Sequence, residues 1–250
     1  MNISFCLITH NEEDNLPRCL ESLKGVAREI VVVDSVSTDG TVQIARAAGA
    51  AVFSEDWKGF VEQKNSAARK ASNPWVFSID ADEELSPELR ESLLRLAEGP
   101  EPAPGSGFLV SRCVFYDGRW IRHGDWYPDW VLRLFHRDHG RFTGGLVHER
   151  VAVDGPLVRL QGELRHYSFK DTQDHLARIE RYAGLWAETQ RAAGHTAGPV
   201  APFLHATAKF LRGYLVRGGF LDGATGFKIA RLTAYETFLK YSKLRKAWHP

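Results

Sequence analysis

The sequence predicts an α/β fold with a mostly parallel central sheet flanked by helices, followed by a helical C-terminal extension. Short apolar, β-branched runs alternate with amphipathic helical patterns over residues 1–98. Strand-like runs and turns follow over residues 106–170, and helical periodicity continues through residues 171–250. Because strands that alternate with helices form parallel sheets covered on both faces, the first part predicts such a sheet.

Strands and helices of the first part succeed one another in a regular order. Strand patterns occupy residues 3–8, 29–33, 51–53 and 75–79, and helical patterns occupy residues 16–23, 41–48, 60–71 and 86–97. Leu85, Leu89, Leu93 and Leu96 have the spacing of one helical face, and Ser86 before Pro87 is a typical helix start.

A proline- and glycine-rich segment, residues 99–105, separates this part from the next and predicts a surface loop. Beyond it, strand-like runs cover residues 108–116, 119–121 and 131–135. The dipeptide Asp117-Gly118 between the first two runs predicts a β-hairpin. We therefore expect one domain over residues 1–170, built from the halves 1–98 and 106–170, and a helical extension over residues 171–250.

Composition indicates a globular cytoplasmic protein. The chain has 250 residues, 44% apolar and 25% charged, and its net charge of +1 gives no reason to expect nucleic-acid binding. Three scattered cysteines without a CxxC pair predict neither a zinc site nor disulfides, and fit a reducing compartment. Neither a signal peptide nor a run of about 18–20 apolar residues is present, so we expect a soluble or peripheral membrane protein.

Asp80-Ala81-Asp82 is the most informative tripeptide, because it directly follows the buried strand pattern of residues 75–79. Two carboxylates two residues apart point the same way on an extended chain. They form an oxygen-rich site suited to Mg²⁺ or Mn²⁺, which can hold a pyrophosphate. The alternative is a solvated acidic loop that precedes a helix.

Polar residues also follow the first strand. Thr9, Asn11 and Glu12 lie at its carboxyl end, where ligands bind in parallel α/β sheets. They could hydrogen-bond a base or a ribose. Alternatively, Asn11 could cap the next helix, with Asp14 three residues later.

The second strand ends in a similar way. Asp34, Ser37 and Asp39 follow it, and Asp34 could accept a hydrogen bond from a uracil or a ribose. The alternative is a polar loop in which Asp39 caps the following helix. On the helix before the fourth strand, Lys64 in Gln63-Lys64-Asn65 could reach a phosphate, or could lie on a solvated helix face.

Taken together, these segments resemble the family-2 glycosyltransferases, whose nucleotide-sugar-binding fold is called GT-A. The resemblance rests on Thr9–Glu12, Asp34–Thr41, Gln63–Asn65 and Asp80–Glu83, in that order. A closer resemblance, to the branch that builds the inner core of bacterial lipopolysaccharide, rests on Asp80–Glu84, Val131–Phe135 and Gly145–Arg150.

The resemblance implies an enzyme, a metal-dependent hexosyltransferase that moves a sugar with inversion from a nucleotide-diphosphate donor, commonly UDP-linked. It implies a glycan or lipid-linked acceptor, a nucleotide-binding half over residues 1–98 and an acceptor-side half over residues 106–170. Asp34 is implied to lie by the nucleotide, Asp80 by the ribose or metal, and Asp82 on the Mg²⁺ or Mn²⁺ ion. The expected nucleotide-sugar-binding residues are Thr9, Asn11, Glu12, Asp34, Ser37, Asp39, Lys64, Asp80 and Ala81.

Inverting transfer also needs a carboxylate that takes the proton of the acceptor hydroxyl. Many relatives carry a Gln-x-x-Arg-Trp motif, which this sequence lacks. Glu149, which follows Gly144-Gly145, is our candidate for the base; the alternative is a structural ion pair with Arg150 or Arg133.

Asp129 is the rival base. It lies between Trp126 and Trp130, which could form a sugar platform or be core aromatics. His166 could face the acceptor, and the sequence does not decide this.

The segment from Phe203 onward interleaves aromatic and aliphatic residues with nine cations and only two acidic residues. This pattern is typical of helices at an anionic membrane surface, and it also fits helices packed on the catalytic domain with a basic outer face. Attachment to the membrane surface would bring the enzyme to a lipid-linked acceptor at the inner face of the inner membrane.

Two other functions compete. Sugar nucleotidyltransferases share a similar layout but carry a glycine-rich loop with an arginine after strand one, where this chain has His10-Asn11-Glu12-Glu13. A non-catalytic nucleotide-sugar-binding module is the third possibility, and the full set of carboxylates argues against it.

Overall fold

The structure is a computed structural model that describes residues 1–145, 148–169 and 171–246, without the side chains of residues 145, 148 and 246. Leu146 and Val147 of the Gly145–Arg150 motif, together with residues 170 and 247–250, lie outside the described residues. The chain divides into unit 1, residues 1–112 and 129–166, and unit 2, residues 113–128 and 167–250. The predicted boundary at residue 170 stays a prediction.

Four parallel strands of unit 1 form the part of the sheet that the sequence predicts. They are β1 (Ile3–Thr9), β2 (Glu29–Asp34), β3 (Ala51–Ser54) and β4 (Trp75–Ser78), in the order β3-β2-β1-β4. Helices α1 (Leu16–Leu23), α2 (Thr41–Ala47) and α3 (Phe60–Lys70) connect them. The predicted α/β class is confirmed.

Alternate residues of these strands enter apolar clusters on opposite faces of the sheet, as a strand's period of two requires. Phe5 and Leu7 of β1 belong to one cluster, with α1, while Cys6 belongs to the other, with α3. Fully burying one such large side chain contributes about 1.5–3 kcal/mol, so the sheet is stabilised from both sides.

Antiparallel strands extend this sheet beyond β4. They are β5 (Glu83–Leu85), β6 (Gly107–Tyr116), β8 (Asp129–His136) and β11 (Leu157–His166), and the order continues β4-β8-β6-β11-β5. The pairs β4–β8, β8–β6 and β11–β5 are antiparallel, so the whole sheet is mixed.

Strand β5 corrects one prediction. Leu85 was expected on the apolar face of a helix, but it pairs with Leu164 of β11, and helix α4 begins only at Pro87 and ends at Glu98. Ser86 is the N-cap, as predicted, and its hydroxyl accepts from the Leu89 N–H. A three-residue edge strand exists only through its distant partner, and for that reason local periodicity misses it.

A separate two-stranded sheet of unit 1 carries the candidate base. Strands β9 (Gly140–Gly145) and β10 (His148–Val153) are antiparallel, and Glu149 stands opposite Gly144. Asn65 of α3 fixes this sheet: its side chain accepts from the Phe142 N–H at 2.8 Å and donates to the Phe142 carbonyl at 3.0 Å.

Unit 2 contains the predicted hairpin and the helical part of the chain. Asp117 and Gly118 both have positive φ, as a two-residue hairpin turn requires, and β7 (Arg119–Ile121) pairs with the end of β6. Helix α5 (Thr172–Ala192), α6 (Ala201–Leu211), a π-helical turn (Arg212–Val216), a 3₁₀ turn (Gly219–Asp222) and α7 (Gly223–Lys246) follow. In the described part of the chain, no helix combines the length and apolarity needed to cross a membrane.

Candidate active site

Asp34 ties the turn after β2 to the end of β1. The parallel register places Thr9 beside Asp34, and the Thr9 hydroxyl donates to the carboxylate at 2.8 Å. Ser37 donates to the same carboxylate through its N–H at 2.9 Å and through its hydroxyl at 2.5 Å. Asp34 is fully buried, and its hydrogen bonds hold this turn in place from the protein interior. Its expected contact with a uracil or ribose stays a prediction.

Asn11 joins the turn after β1 to the turn after β2. Its N–H donates to the Ser37 hydroxyl at 2.9 Å, and its side-chain carbonyl accepts from the Thr38 N–H at 2.8 Å. Asn11 has a φ of 55°, a left-handed conformation that asparagine adopts more readily than most residues. The N-cap of α1 is Asn15, so the alternative that Asn11 caps this helix is wrong.

Glu12 and Asp39 complete the same network around Thr41. The Glu12 N–H donates to the Thr41 hydroxyl at 2.7 Å, and Asp39 accepts from the Thr41 N–H at 3.0 Å and hydroxyl at 2.5 Å. The helix N-cap is Gly40, so Asp39 acts one residue before it. Desolvation opposes the effect, but these hydrogen bonds lower the pKa of Asp39.

The Glu12 side chain lies among the carboxylates of the site. Burial raises its pKa, and the nearby negative charges of Asp82, Asp39 and Asp80 raise it further, while a hydrogen bond from Asn15 opposes them. The ends of β1, β2 and β4 therefore converge on one acidic region, as the carboxyl ends of neighbouring parallel strands must.

The segment Gln63-Lys64-Asn65 of α3 connects three parts of the site. Gln63 donates to the Ser35 hydroxyl at 3.0 Å, in the turn after β2. Lys64 lies 2.9 Å from Asp80 and 3.2 Å from Glu149, and Asn65 holds β9. The Lys64 side chain is only 5% exposed, so the alternative of a solvated helix face is wrong.

Asp80 sits between two cations. One carboxylate oxygen contacts Lys64 at 2.9 Å, and the other accepts from Arg133 of β8 at 3.0 Å. Desolvation acts in the opposite direction, but these two cations hold the pKa of Asp80 well below its usual range. The alternative of a solvated acidic loop does not describe this residue.

Glu83 and Arg133 form a buried pair behind Asp80 that sequence reasoning did not assign to the site. Arg133 donates to Glu83 at 2.6 Å, and Glu83 accepts from the Asp80 N–H at 3.0 Å. Burial raises the pKa of Glu83, whose side chain is inaccessible. The motifs around residues 83 and 133 were quoted for the resemblance, but no local signal pairs positions 50 residues apart.

Asp82 and His166 stand side by side. The His166 Nε2 atom lies 3.2 Å from an Asp82 carboxylate oxygen, because β11 ends at His166 and pairs there with Glu83. The acceptor-facing role considered for His166 stays open, and its contact with Asp82 was not predicted. Ala81, between the two aspartates, packs its side chain into the apolar core, so only its backbone is available to a ligand.

The two candidate bases lie in different surroundings. Glu149 contacts Lys64, and through Lys64 it belongs to the same charged cluster as Asp80. The structural pairing considered for Glu149, with Arg133 or Arg150, is replaced by this contact. Asp129 instead receives two hydrogen bonds from Arg112 of the adjacent strand β6, at 2.9 and 2.6 Å.

The aromatic residues beside Asp129 belong to different units. Trp126 stacks on Phe169 and contacts Tyr116 and His175 within unit 2, as a core aromatic does. Trp130 belongs to unit 1, where the guanidinium of Arg159 lies 4.6 Å from its ring centre. The interpretation of these tryptophans as a sugar platform stays a prediction.

The donor set around Asp82 fits a divalent cation. Among the described residues, no group of three or more acidic, histidine or cysteine side chains could hold a metal by itself. Mg²⁺ in nucleotide-dependent enzymes is usually held by one or two carboxylates together with substrate phosphates and water. Asp82 is partly exposed and lies next to the His166 imidazole, so it could supply one such carboxylate.

Comparisons with known proteins find similar chains along nearly the whole sequence. The family model described as glycosyl transferase family 2 matches residues 4–153. The lipopolysaccharide core biosynthesis glycosyltransferase LpsC of Rhizobium meliloti is 32% identical over 254 residues, which cover 96% of this chain and 93% of that protein. An uncharacterized glycosyltransferase of Rickettsia typhi is 28% identical over 253 residues, 98% of this chain and 87% of its own.

One solved structure among those that match is glucosyl-3-phosphoglycerate synthase from Mycobacterium tuberculosis in complex with Mn²⁺, UDP and glucosyl-3-phosphoglycerate. It is 29% identical with a TM-score of 0.35, over 47% of this chain and 44% of that chain.

Proposed function

The chain belongs to glycosyl transferase family 2, and on that premise we propose that it transfers a sugar, with inversion, from a UDP-sugar to a glycan or lipid-linked acceptor of the lipopolysaccharide core. The predicted family and its GT-A fold are confirmed by the family match, and the predicted resemblance to lipopolysaccharide-core enzymes is confirmed by the similarity to LpsC. The relative's name supports this acceptor class.

The observation that carries the proposal is the bridge that Lys64 makes between Asp80 and Glu149. Asp80 follows strand β4 on the nucleotide side, while Glu149 comes from the separate β9–β10 sheet. A glycosyltransferase needs a donor-binding carboxylate and an acceptor-side carboxylate that flank one reacting carbon. The bridge supports that assignment because one ammonium contacts both carboxylates and so keeps them close together.

In the proposed reaction, the acceptor hydroxyl attacks the anomeric carbon from the face opposite the nucleoside diphosphate. The new carbon–oxygen bond forms as the bond to the diphosphate breaks, and Glu149 takes the hydroxyl proton. Lys64 holds the Glu149 carboxylate in position, and the buried pair Arg133–Glu83 holds Asp80.

Asp82 would hold a Mg²⁺ or Mn²⁺ ion, with His166 beside it to orient or complete the ligand set. When bound, this ion supplies positive charge that stabilises the departing diphosphate. The network of Thr9, Asn11, Glu12, Asp34, Ser37 and Asp39 would shape the nucleotide pocket. Lys64 and the backbone of Ala81 would complete the donor side.

An assay of product release tests the proposal against its competitors. The full chain is incubated with UDP-sugars and a lipopolysaccharide-core acceptor, with and without Mn²⁺, and UDP is measured. Metal-dependent and acceptor-dependent UDP release supports glycosyl transfer. Pyrophosphate release from UTP would instead indicate a nucleotidyltransferase, and nucleotide-sugar binding without any turnover would indicate a binding module.

We also propose that residues 1–170 carry this reaction as a catalytic domain and that residues 171–250 form an extension. The proposed location is the cytoplasmic face of the inner membrane, where a lipid-linked acceptor would be available.

A further inference from the structure

Residues 200–221 of unit 2 present a solvent-exposed apolar surface, here called the 200–221 surface. It is formed by Val200, Phe203, Leu204, Leu211, Leu215, Val216, Phe220 and Leu221, each of which is largely exposed. Leu204 is 64% exposed and Val216 is 81% exposed. Single exposed hydrophobics are ordinary, but eight within one short segment indicate a binding surface.

Helical spacing explains how these side chains come together. Leu204, Leu211 and Leu215 follow at i, i+7 and i+11, which places them on one face. A neighbouring face is packed: Phe210 and Tyr214 contact the Phe227 ring of α7 at 5.9 and 5.5 Å. The segment therefore carries two apolar faces: one is packed on α7, and the other is exposed apart from the ring contacts of Phe203 with Phe238 and of Phe220 with Tyr214.

The turn that carries Leu215 to Leu221 is held firmly by unit 2. A Cβ atom added to Gly226 of α7 would collide with the Gly219 carbonyl oxygen, and one added to Gly219 would lie 2.7 Å from the Gly213 carbonyl oxygen. Backbone packs directly on backbone at these glycines. The apolar side chains are thus presented on an ordered turn.

The charge of the segment around the 200–221 surface indicates which class of partner this surface binds. From residue 189 to residue 221 the chain contains no Asp or Glu, a run of thirty-three residues. Lys209, Arg212 and Arg217 lie in this run and converge on one buried carboxylate, Asp125, at 2.9–3.5 Å. Three cations around one anion leave a surplus of positive charge beside the apolar side chains.

Three cations of α7, which the sequence pattern counted together with these, are paired with acids. Lys228 pairs with Asp117, Lys240 with Glu236 and Lys243 with Glu180. Eight of the exposed large hydrophobic side chains of the described C-terminal segment lie at residues 200–221, against Phe227 and Tyr235 in α7.

We propose that the 200–221 surface docks on a lipid bilayer that contains anionic lipids, with the aliphatic side chains inserted at the headgroup boundary. Aliphatic residues with Phe, flanked by cations and free of acids, are typical of segments that lie in a membrane interface. A protein partner would favour an interface richer in Tyr, Trp and Met, with charges of both signs at its rim. The proposal does not depend on the transfer reaction.

The test is flotation of the full chain with phosphatidylcholine vesicles that contain or lack phosphatidylglycerol. We expect binding to the anionic vesicles, weakened by added salt, since each cation at the surface contributes about fivefold. The double variant Leu204→Glu, Leu215→Glu should lower the partition coefficient at least about tenfold, because burying one leucine is worth about that much. Leu204→Ser with Leu215→Ser, which adds no charge, should lower it in the same direction.

The matched control is Leu157→Glu with Val158→Glu in unit 1. Leu157 is 54% exposed and Leu215 is 53% exposed, so the changes are equivalent in exposure and charge. The control should float like the unchanged protein. Equal flotation of the Leu204/Leu215 variants and the unchanged protein, or no flotation of the unchanged protein, would overturn the proposal. Self-association that the same variants abolish, without vesicle binding, would assign the surface to a second copy and would also overturn it.

Discussion

The two sides of the candidate site are built in opposite ways. On one side, short polar groups in the turns after β1 and β2 bond mainly to backbone N–H groups and hydroxyls, with Asp34 at their centre. On the other side, called the charged side, side chains of opposite charge neutralise one another through Lys64 and Arg133. The first arrangement fixes backbone shape, and the second fixes the position of charge.

This difference predicts different consequences of substitution. Removing a turn-ordering group should loosen the fit of a ligand, with little effect on a bond-breaking step. Removing a member of the charged side should either stop the chemistry or leave a buried charge without its partner. The following variants test that distinction, beginning with the largest expected effect.

Asp82→Ala should remove transfer activity and its dependence on divalent ions while the fold persists. A bound divalent ion stabilises the departing diphosphate by several kcal/mol, so turnover should fall by at least about three orders of magnitude. UDP release measured across a Mn²⁺ titration checks this. Near-normal turnover with an unchanged Mn²⁺ response would contradict the metal site.

His166→Gln is the companion variant for Asp82. A group that orients a metal ligand typically affects metal affinity by about 10- to 100-fold, so activity should be recovered at high Mn²⁺. If excess Mn²⁺ does not restore turnover, His166 acts elsewhere, for instance on the acceptor.

Glu149→Gln should lower kcat by about 10²- to 10⁴-fold while affinity for the UDP-sugar persists. The amide keeps the size of the side chain but cannot take the acceptor proton. Steady-state kinetics with calorimetric UDP-sugar binding separate the two quantities.

Asp129→Asn is the control for Glu149→Gln. Asp129 is held by Arg112, whereas Glu149 is held by Lys64, so the kcat of Asp129→Asn should change far less. An inactive Asp129→Asn beside an active Glu149→Gln would reverse the assignment.

Arg133→Met should destabilise the protein by about 3–5 kcal/mol, because it leaves Asp80 and Glu83 without the cation that they share. The double change Arg133→Met, Glu83→Leu should recover part of this loss, since the inaccessible Glu83 would no longer be an unpaired group. Urea unfolding measures both free energies. A single variant as stable as the unchanged protein would mean that this pair does not hold the charged side together.

The same difference explains what could be predicted from the sequence. Strands β1 to β4 and helices α1 to α3 follow from local periodicity, and the polar residues at the strand ends follow from the parallel order. Contacts between distant segments could not be predicted: Lys64 with Glu149 and Asp82 with His166 depend on strands that reach the site from residues 140–166. Strand β5 was missed for the same reason, because its three residues are a strand only through β11.

Asp34→Ala should have the smallest effect on the chemical step. Its carboxylate accepts hydrogen bonds from Thr9 and Ser37. Loss of these hydrogen bonds should disorder the turn that also holds Asn11. Hydrogen bonds to a charged group are worth about 1.5–3 kcal/mol, so UDP should bind about 10- to 100-fold more weakly. Because this binding is lost equally from substrate and transition state, KM should rise while kcat changes little.

Ser37→Ala removes one hydroxyl donor and should move KM in the same direction by less. Unchanged UDP affinity in calorimetry would show that these turns do not face the nucleotide, and a fall in kcat at constant KM would place Asp34 with the charged side instead.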